Sequence, residues 1–233
     1  MKNIISIKTS FTNSYILKCN NGYLLIDTSY HNKYNKFKRK IKKLGINLSQ
    51  IKYCLLTHHH DDHTGFVAKL IKDNNVTLIV HENSIPFLRE GSSENSSKPI
   101  NLCVKIIFTI FSLFHKFKFS PITLRTKDII LKNDNNEILK KIGINGKIIH
   151  TPGHTNDSIS VVLSDGNVIV GDIAMNFFNL CGSKHRPIYA QDTKKIYLSW
   201  NKLIEEGAKM IYPAHGQPFS ADKLMDRSDQ RDY

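Results

Sequence analysis

The chain has no apolar run long enough to cross a bilayer. Its longest mostly apolar stretch, Leu102 to Phe114, is broken by Lys105 and falls short of the ~20 residues a spanning helix needs. Met1 to Ile7 is too short an apolar run for a secretory leader, and no small-residue cleavage site follows it, so a cytoplasmic protein is expected. Cysteine is sparse: Cys19, Cys54, Cys103 and Cys181 stand far apart with no C-x-x-C pair, which excludes the local signature of a structural zinc or a dithiol redox centre. Four reduced thiols, mostly buried filler, are expected. Internal repeats and low-complexity linkers are lacking too, and 12 glycines with 7 prolines in 233 residues describe one ordinary globular domain, residues 1–233.

Acid is missing in two places. Thr28 to His60 carries seven lysines and one arginine without an acid, and Asn95 to Lys127 carries five lysines and one arginine without an acid. Together these segments exceed the net charge of +13 for the whole chain, so the remainder is close to neutral. A localised excess argues for two basic surfaces and against a uniformly basic nucleic-acid coat. Solvated lysine-rich faces are one reading; a surface that attracts acidic substrates, membranes or nucleic acid is the other.

Asn3 to Lys8, Ser14 to Lys18 and Tyr23 to Asp27 read as strands, with a hairpin at Asn21-Gly22 between the last two. From Lys33 to Leu44 the apolar positions Tyr34, Phe37, Ile41 and Leu44 recur at helical spacing and lysines take the other face, with Gly45 as the stop. A buried strand at Ile51 to Leu56, a helical pattern at Phe66 to Ile71 and a strand at Val76 to Val80 follow, then an irregular region. Ile129 to Leu131, Glu137 to Ile142, Gly146 to His150, Ser158 to Leu163 and Asn167 to Val170 read as a second set of strands. A helix from Lys194 to Glu205 and a short strand at Met210 to Tyr212 complete the series. Two strand-rich halves, each followed by helices, predict a layered α/β sandwich.

What the chain does have is a histidine and aspartate constellation. Thr57-His58-His59-His60-Asp61-Asp62-His63-Thr64-Gly65 follows a predicted buried strand. In an extended segment His58 and His60 point to one side, and Asp62 and His63 follow as the chain turns into a helix, so four metal-capable side chains can converge in one loop. His154, Asp172 and His215 each fall at a predicted strand end, where loops carry function.

This pattern, H-x-H-x-D-H followed by a lone His, a lone Asp and a last His, resembles the metallo-β-lactamase-fold hydrolase superfamily over nearly the whole chain. The resemblance implies an α/β fold, the four-layered αββα sandwich, and a dinuclear site. His58, His60 and His154 would hold one metal, Asp62, His63 and His215 a second, and Asp172 would bridge them. Neutral imidazoles and carboxylates suit two zinc ions, and equally iron or manganese. His59 and Asp61, at the variable positions, are expected to support the ligands or lie exposed. His81 and His150 are candidates to orient a ligand; His31, His115 and His185 have no motif support.

Two cations sharing a water lower its pKa and polarise the substrate, so hydrolysis by a bridging hydroxide is expected, with Asp62 as the catalytic carboxylate that orients it and passes the proton on. The substrate is expected to be a small molecule. Thioester, ester or lactone hydrolysis, in the glyoxalase II or lactonase-like branch, is the main reading; a phosphodiesterase or nuclease, or iron-dependent persulfide oxidation on an overlapping ligand set, is the alternative. Asp172 argues against the β-lactamases. Asn179-Leu180-Cys181-Gly182-Ser183-Lys184 only echoes the glutathione-thioesterase stretch, and Met175 stands where the acyl-homoserine lactonases carry a tyrosine, with Tyr189 near enough in sequence to substitute. Met175 and Tyr189 are therefore candidate substrate residues.

One segment lies outside the motif. Asn95 to Lys127, an insertion between the halves, holds an apolar stretch too continuous for an exposed loop, with Cys103, Ile107, Ile110 and Phe114 at helical spacing. It can be a core helix, a lid that walls an apolar pocket through Phe111 and Phe114, or a homodimer or membrane-surface contact.

Overall fold

The computed structural model describes residues 4–93, 96–177 and 181–225. Asn3, Asn95 and the pair Asn179-Leu180, which bound or begin segments read from sequence, lie outside the described residues.

The first sheet collects β1 (Ile4–Lys8), β2 (Asn13–Cys19), β3 (Gly22–Ile26), β4 (Ile51–Leu55), β5 (Thr77–His81) and β7 (Ile129–Leu131), in the order β1-β2-β3-β4-β5-β7. Its helices are α1 (Tyr34–Lys43), the one-turn α2 (Asp61–Thr64), α3 (Val67–Asn74), α4 (Ile85–Glu90) and α5 (Leu102–Ser112); β6 (Lys98–Pro99) lies between the last two. The second half contains α6 (Ile138–Lys141), β8 (Gly146–His150), β9 (Ile159–Leu163), β10 (Asn167–Gly171), β11 (Tyr189–Ala190), α7 (Thr193–Glu205), β12 (Met210–Pro213) and β13 (Phe219–Ser220). The second sheet runs β13-β12-β10-β9-β8, and β6 pairs with β11 in a separate two-stranded ribbon.

Alternation along β3 explains the layering. Leu24 and Ile26 point into an apolar layer shared with Ile148, Val161 and Ile169 of the second sheet, while Leu25 points the other way, against Phe37 and Ile41 of α1 and Leu70 of α3. Period-two patterning thus gives one strand two buried faces. The second sheet repeats the arrangement, with Val168, Val170 and Ile211 under Ile196, Trp200 and Leu203 of α7. Three apolar layers make four layers of secondary structure, αββα, as expected.

Four sequence expectations change. Glu137 to Ile142, read as a strand, contains the short helix α6: the Asn135 side chain accepts from the Glu137 and Ile138 amides at 3.0 and 2.8 Å, and Leu139 and Ile142 are buried at helical spacing. The hairpin turn is Asn20-Asn21, and Gly22 opens β3 at φ 137°, where a Cβ would strike the Gln50 carbonyl. Leu44 leaves the apolar face and is exposed. Among the cysteines only Cys19 and Cys54 are buried; Cys103 is exposed and Cys181 half-buried.

The two sheets are pinned together at one end. The Asn13 amide donates to the Ala214 carbonyl at 2.7 Å, the Ile159 amide donates to the Thr57 carbonyl at 2.9 Å, and the Tyr15 hydroxyl donates to the Pro213 carbonyl at 2.6 Å. At this end β3, β4, β8, β10 and β12 all finish, so their following loops meet, the usual place for a site in a parallel α/β sheet.

Candidate metal centre

All seven expected ligand side chains stand together at that end. His58 and His60 follow β4, with His58 buried and His60 half-buried; Asp62 and His63 lie in α2; His154, Asp172 and His215 follow β8, β10 and β12. Close packing of the loops has a steric origin at Gly171, at φ 56°, where any Cβ would run into the Thr57 side chain.

Three ring nitrogens, His58 Nε2, His60 Nδ1 and His154 Nε2, form a triangle with edges of 3.1, 3.1 and 3.2 Å. For a metal–nitrogen bond of about 2.0–2.1 Å a tetrahedral edge is about 3.3 Å, so the triangle has the size of a coordination face. Hydrogen bonds elsewhere on the rings settle which nitrogens are bare. His154 Nδ1 donates to the Tyr189 carbonyl at 2.7 Å. His58 Nδ1 lies 3.1 Å from Thr57 Oγ1, whose own proton goes to Asp27 at 2.7 Å. The Nε2 lone pairs of both rings therefore face each other across the triangle, an arrangement that needs a cation between them.

The second cluster is carboxylate-rich. His215 Nε2 lies 3.1 Å from Asp62 Oδ2, and His63 Nε2 lies 3.6 Å from Asp62 Oδ1. Asp172 Oδ2 stands 3.4 Å from His215, 3.5 Å from His63 and 3.7 Å from His154, between both clusters. His63 Nε2 and Asp172 Oδ1 are buried with no hydrogen-bond partner among the described residues, so two desolvated polar atoms aim into a space that a cation would satisfy. The residues present fit a pair of metal ions. Three overlapping groups, His58-His60-His154, His58-His63-Asp172 and Asp62-His63-His215, could each hold one.

Electrostatics separates the clusters. Burial, reinforced by neighbouring imidazoles, pushes His58 and His60 well below the ordinary histidine value, and burial lowers His154. Burial also opposes charge on His63, but Asp62, Asp172 and Asp27 outweigh it and hold that pKa well above the ordinary value. The same contest, won by Asp172 and Asp62, pushes His215 up to about 10. Burial would raise Asp62 and Asp172; the adjacent histidines more than compensate and both are lowered.

Residues outside the motif hold it in place. Asp27, in the left-handed region at φ 57°, accepts from the Thr57 amide (2.7 Å), the Thr57 hydroxyl (2.7 Å) and His63 Nδ1 (2.9 Å). Sequence reasoning took Asp27 for a strand end; an acid closing the apolar run Leu24–Ile26 was the available signal. The variable positions are buried and paired. His59 Nδ1 lies 2.9 Å from Asp157 Oδ1 and stacks on Phe87, and Asp61 meets His115 Nε2 at 2.7 Å. Burial and repulsion by Asp62 push Asp61 up to about 6 despite His115. His115, without motif support in sequence, thus ties the segment after α5 to the ligand loop. His81 and His150 stack on each other with centroids 4.3 Å apart; His81 accepts from the Asn83 amide and His150 donates to the Asn156 carbonyl. Neither ring hydrogen bonds to one of the seven ligand candidates among the described residues.

The clusters open onto a cavity of about 430 Å³. His60, Asp62, His154, Asp172 and His215 form its polar floor, and Ile107, Phe108, Phe111, Phe117, Phe177 and Ile188 much of its apolar wall. Met175 and Tyr189, the candidate substrate residues, line it; the Tyr189 ring packs on Phe108 at 4.5 Å. Phe111 lines it, but Phe114 does not: at 86% exposure it points to solvent. The physical reason is helical phase, since α5 turns Val104, Ile107, Phe108 and Phe111 inward and leaves Phe114 between faces. The core-helix reading of this segment falls too, because Val104 is the one buried residue of α5.

The metallo-beta-lactamase superfamily profile matches residues 7–215, and the chain belongs to that superfamily. It is 27% identical over 209 residues to a lactamase-like protein of Pestalotiopsis microspora, covering 88% of this chain and 49% of that one. It is also 27% identical over 210 residues to a probable metallo-hydrolase of Methanocaldococcus jannaschii, covering 88% of each. An atrochrysone carboxyl ACP thioesterase of Aspergillus aculeatus is 26% identical over 209 residues, 88% of this chain and 50% of that enzyme. The chain therefore spans about half the length of its fungal relatives. A metallo-beta-lactamase superfamily protein from Sulfolobus tokodaii superposes with a TM-score of 0.68 at 20% identity, over 99% of this chain and 86% of that one, a likeness of fold.

Two outcomes test this geometry. Asp27→Asn keeps the shape and tolerates the left-handed backbone but weakens the hold on His63; zinc affinity, read by competition with a chromogenic chelator, should fall about 10- to 100-fold. The raised pKa values mean that His63 and His215 keep their protons at neutral pH and must lose them to coordinate, whereas His58, His60 and His154 are already neutral. Calorimetric zinc titration of the metal-free protein in buffers of different ionisation enthalpy should show about two protons released with the second equivalent and close to none with the first. Affinity of the second site should accordingly rise with pH through the neutral range; a pH-independent second site would contradict the assignment.

Proposed function

We propose that this chain is a dinuclear metal-dependent hydrolase of acyl thioesters or esters with an apolar acyl group. The observation that carries the reading is the convergence of seven metal-capable side chains, five of them on the floor of a cavity walled by aliphatic and aromatic residues. His58, His60 and His154 would hold one ion and Asp62, His63 and His215 the other, with Asp172 within reach of both clusters; zinc suits this donor set, as do iron and manganese. Bound there, the ions would supply a hydroxide nucleophile at neutral pH and a Lewis acid for the carbonyl.

The chain's own residues do the rest. Asp62 Oδ2 accepts from the Thr12 hydroxyl at 2.9 Å, which fixes the carboxylate against the cavity. Asp62 takes up the proton released as the new carbon–oxygen bond forms and returns it to the departing thiolate or alkoxide as the old bond breaks. Phe108, Phe111 and Tyr189 seat the acyl chain, so residues 96–127 serve as a lid over the site. Among the described residues no lysine or arginine lines the cavity, which favours an acyl chain over a phosphodiester. The thioesterase among the relatives supports the same class.

Asp62→Asn should leave a folded protein whose kcat on an acyl thioester falls by about 10²–10⁴-fold; near-normal turnover would remove Asp62 from the mechanism. Phe108→Ala with Phe111→Ala should raise KM for a long-chain thioester about tenfold or more, given about 1.5–3 kcal/mol per buried aromatic side chain, while sparing an acetyl ester. Equal losses on both substrates would take the lid out of chain recognition.

A further inference from the structure

The outer side of α5 has no place in this reaction. Seven of the twelve large hydrophobic side chains exposed among the described residues fall in Leu102–Phe114. At about 100° per residue, Leu102, Ile106, Ile110 and Leu113 form one stripe, on the side of the helix away from the cavity-facing Ile107, Phe108 and Phe111. Lys105, Thr109 and Ser112 make a narrow polar stripe between them. Lys98 precedes the helix and Lys116 and Lys118 follow it, all exposed, and residues 96–127 contain no acid.

We propose that this face is a docking surface for an anionic phospholipid membrane. An apolar helical stripe flanked by lysines is the form of an interfacial helix, whose side chains enter the boundary between headgroups and acyl chains while the cations meet the lipid charge. Charge decides between this partner and a second copy of the chain. Two α5 faces brought together about a twofold axis would set Lys105, Lys116 and Lys118 against the same lysines with no acid in the segment to pair them; an anionic bilayer supplies the missing charge. The consequence for the cavity is geometric. Its apolar wall is the inner side of the same helix, so docking through the outer side would bring the cavity close to the membrane surface.

The test is co-sedimentation of the full-length, zinc-loaded protein with vesicles of pure phosphatidylglycerol and of pure phosphatidylcholine, which reads binding without turnover and so stands apart from the hydrolase reading. The expected result is binding to phosphatidylglycerol that weakens as salt is raised, and little binding to phosphatidylcholine. Ile106→Glu with Ile110→Glu, neither of which lines the cavity, should lower partitioning at least about tenfold, as should Lys105→Glu with Lys116→Glu; both variants should keep the parent's circular dichroism and melting temperature. Should either unfold, the salt and lipid dependence of the parent protein still decides. Failure to bind phosphatidylglycerol, equal binding to both lipids, or a dimer in sedimentation equilibrium that Ile106→Glu with Ile110→Glu dissociates would each overturn the proposal.

Discussion

One buried carboxylate organises the site. Asp27 takes three hydrogen bonds, two from Thr57 and one from His63, and those partners belong to both ends of the ligand loop. Thr57 in turn faces His58, so a single acid sets the ring orientation of one histidine in each metal cluster. The backbone must turn sharply after β3 to aim that carboxylate across the sheet, and it does so at φ 57°, a conformation aspartate tolerates better than most residues. The local strain is small beside the three charge-assisted bonds it permits.

Burying so many ionisable groups would be untenable without internal balance. Asp62 and Asp172 lie against His63 and His215, and each pair stabilises the other's charge, while the three histidines of the first cluster stay neutral by desolvation. The two halves of one centre therefore differ in character although they share Asp172. Such asymmetry matters for chemistry: the neutral imidazole face could take a cation without losing protons, whereas the other face carries the negative charge of two carboxylates.

Much of this was legible in sequence. The strand-end positions of His154, Asp172 and His215, and the alternation that brings His58 and His60 to one side, follow from local spacing alone. What sequence could not supply is partnership between distant residues. Asp27 looked like a strand terminus because its bonds go to residues about thirty positions on; His115 looked idle because its partner, Asp61, is 54 residues away. Phase was the other gap. An almost continuous apolar run says that a helix buries or exposes grease but leaves its rotation open, and the stripe through Cys103, Ile107, Ile110 and Phe114 lies between the inward and outward faces. Glu137 to Ile142 failed for a related reason, since a short apolar run satisfies both periods and the deciding group, the Asn135 cap, sits just outside it.

The positions between the ligands show how a common centre acquires its own surroundings. His59 and Asp61 alternate with His58, His60 and Asp62, so each points away from the ligand cluster and toward whatever the fold packs there. His59 reaches Asp157, near the start of β9, and braces the loop against the second sheet. Asp61 reaches His115, beyond the end of α5, and ties the lid to the ligand loop, with the Ser93 hydroxyl on its other oxygen at 3.3 Å. The helix itself is otherwise anchored thinly: Val104 is its one buried residue, and Phe119 and Ile122 join the core only after the chain has left it. An element with few buried contacts belongs to the low-stability end of a structure. The pose of the aromatic wall therefore depends on a side chain fixed by its place among the candidate ligands, which links the order of this segment to the integrity of the cluster beneath it.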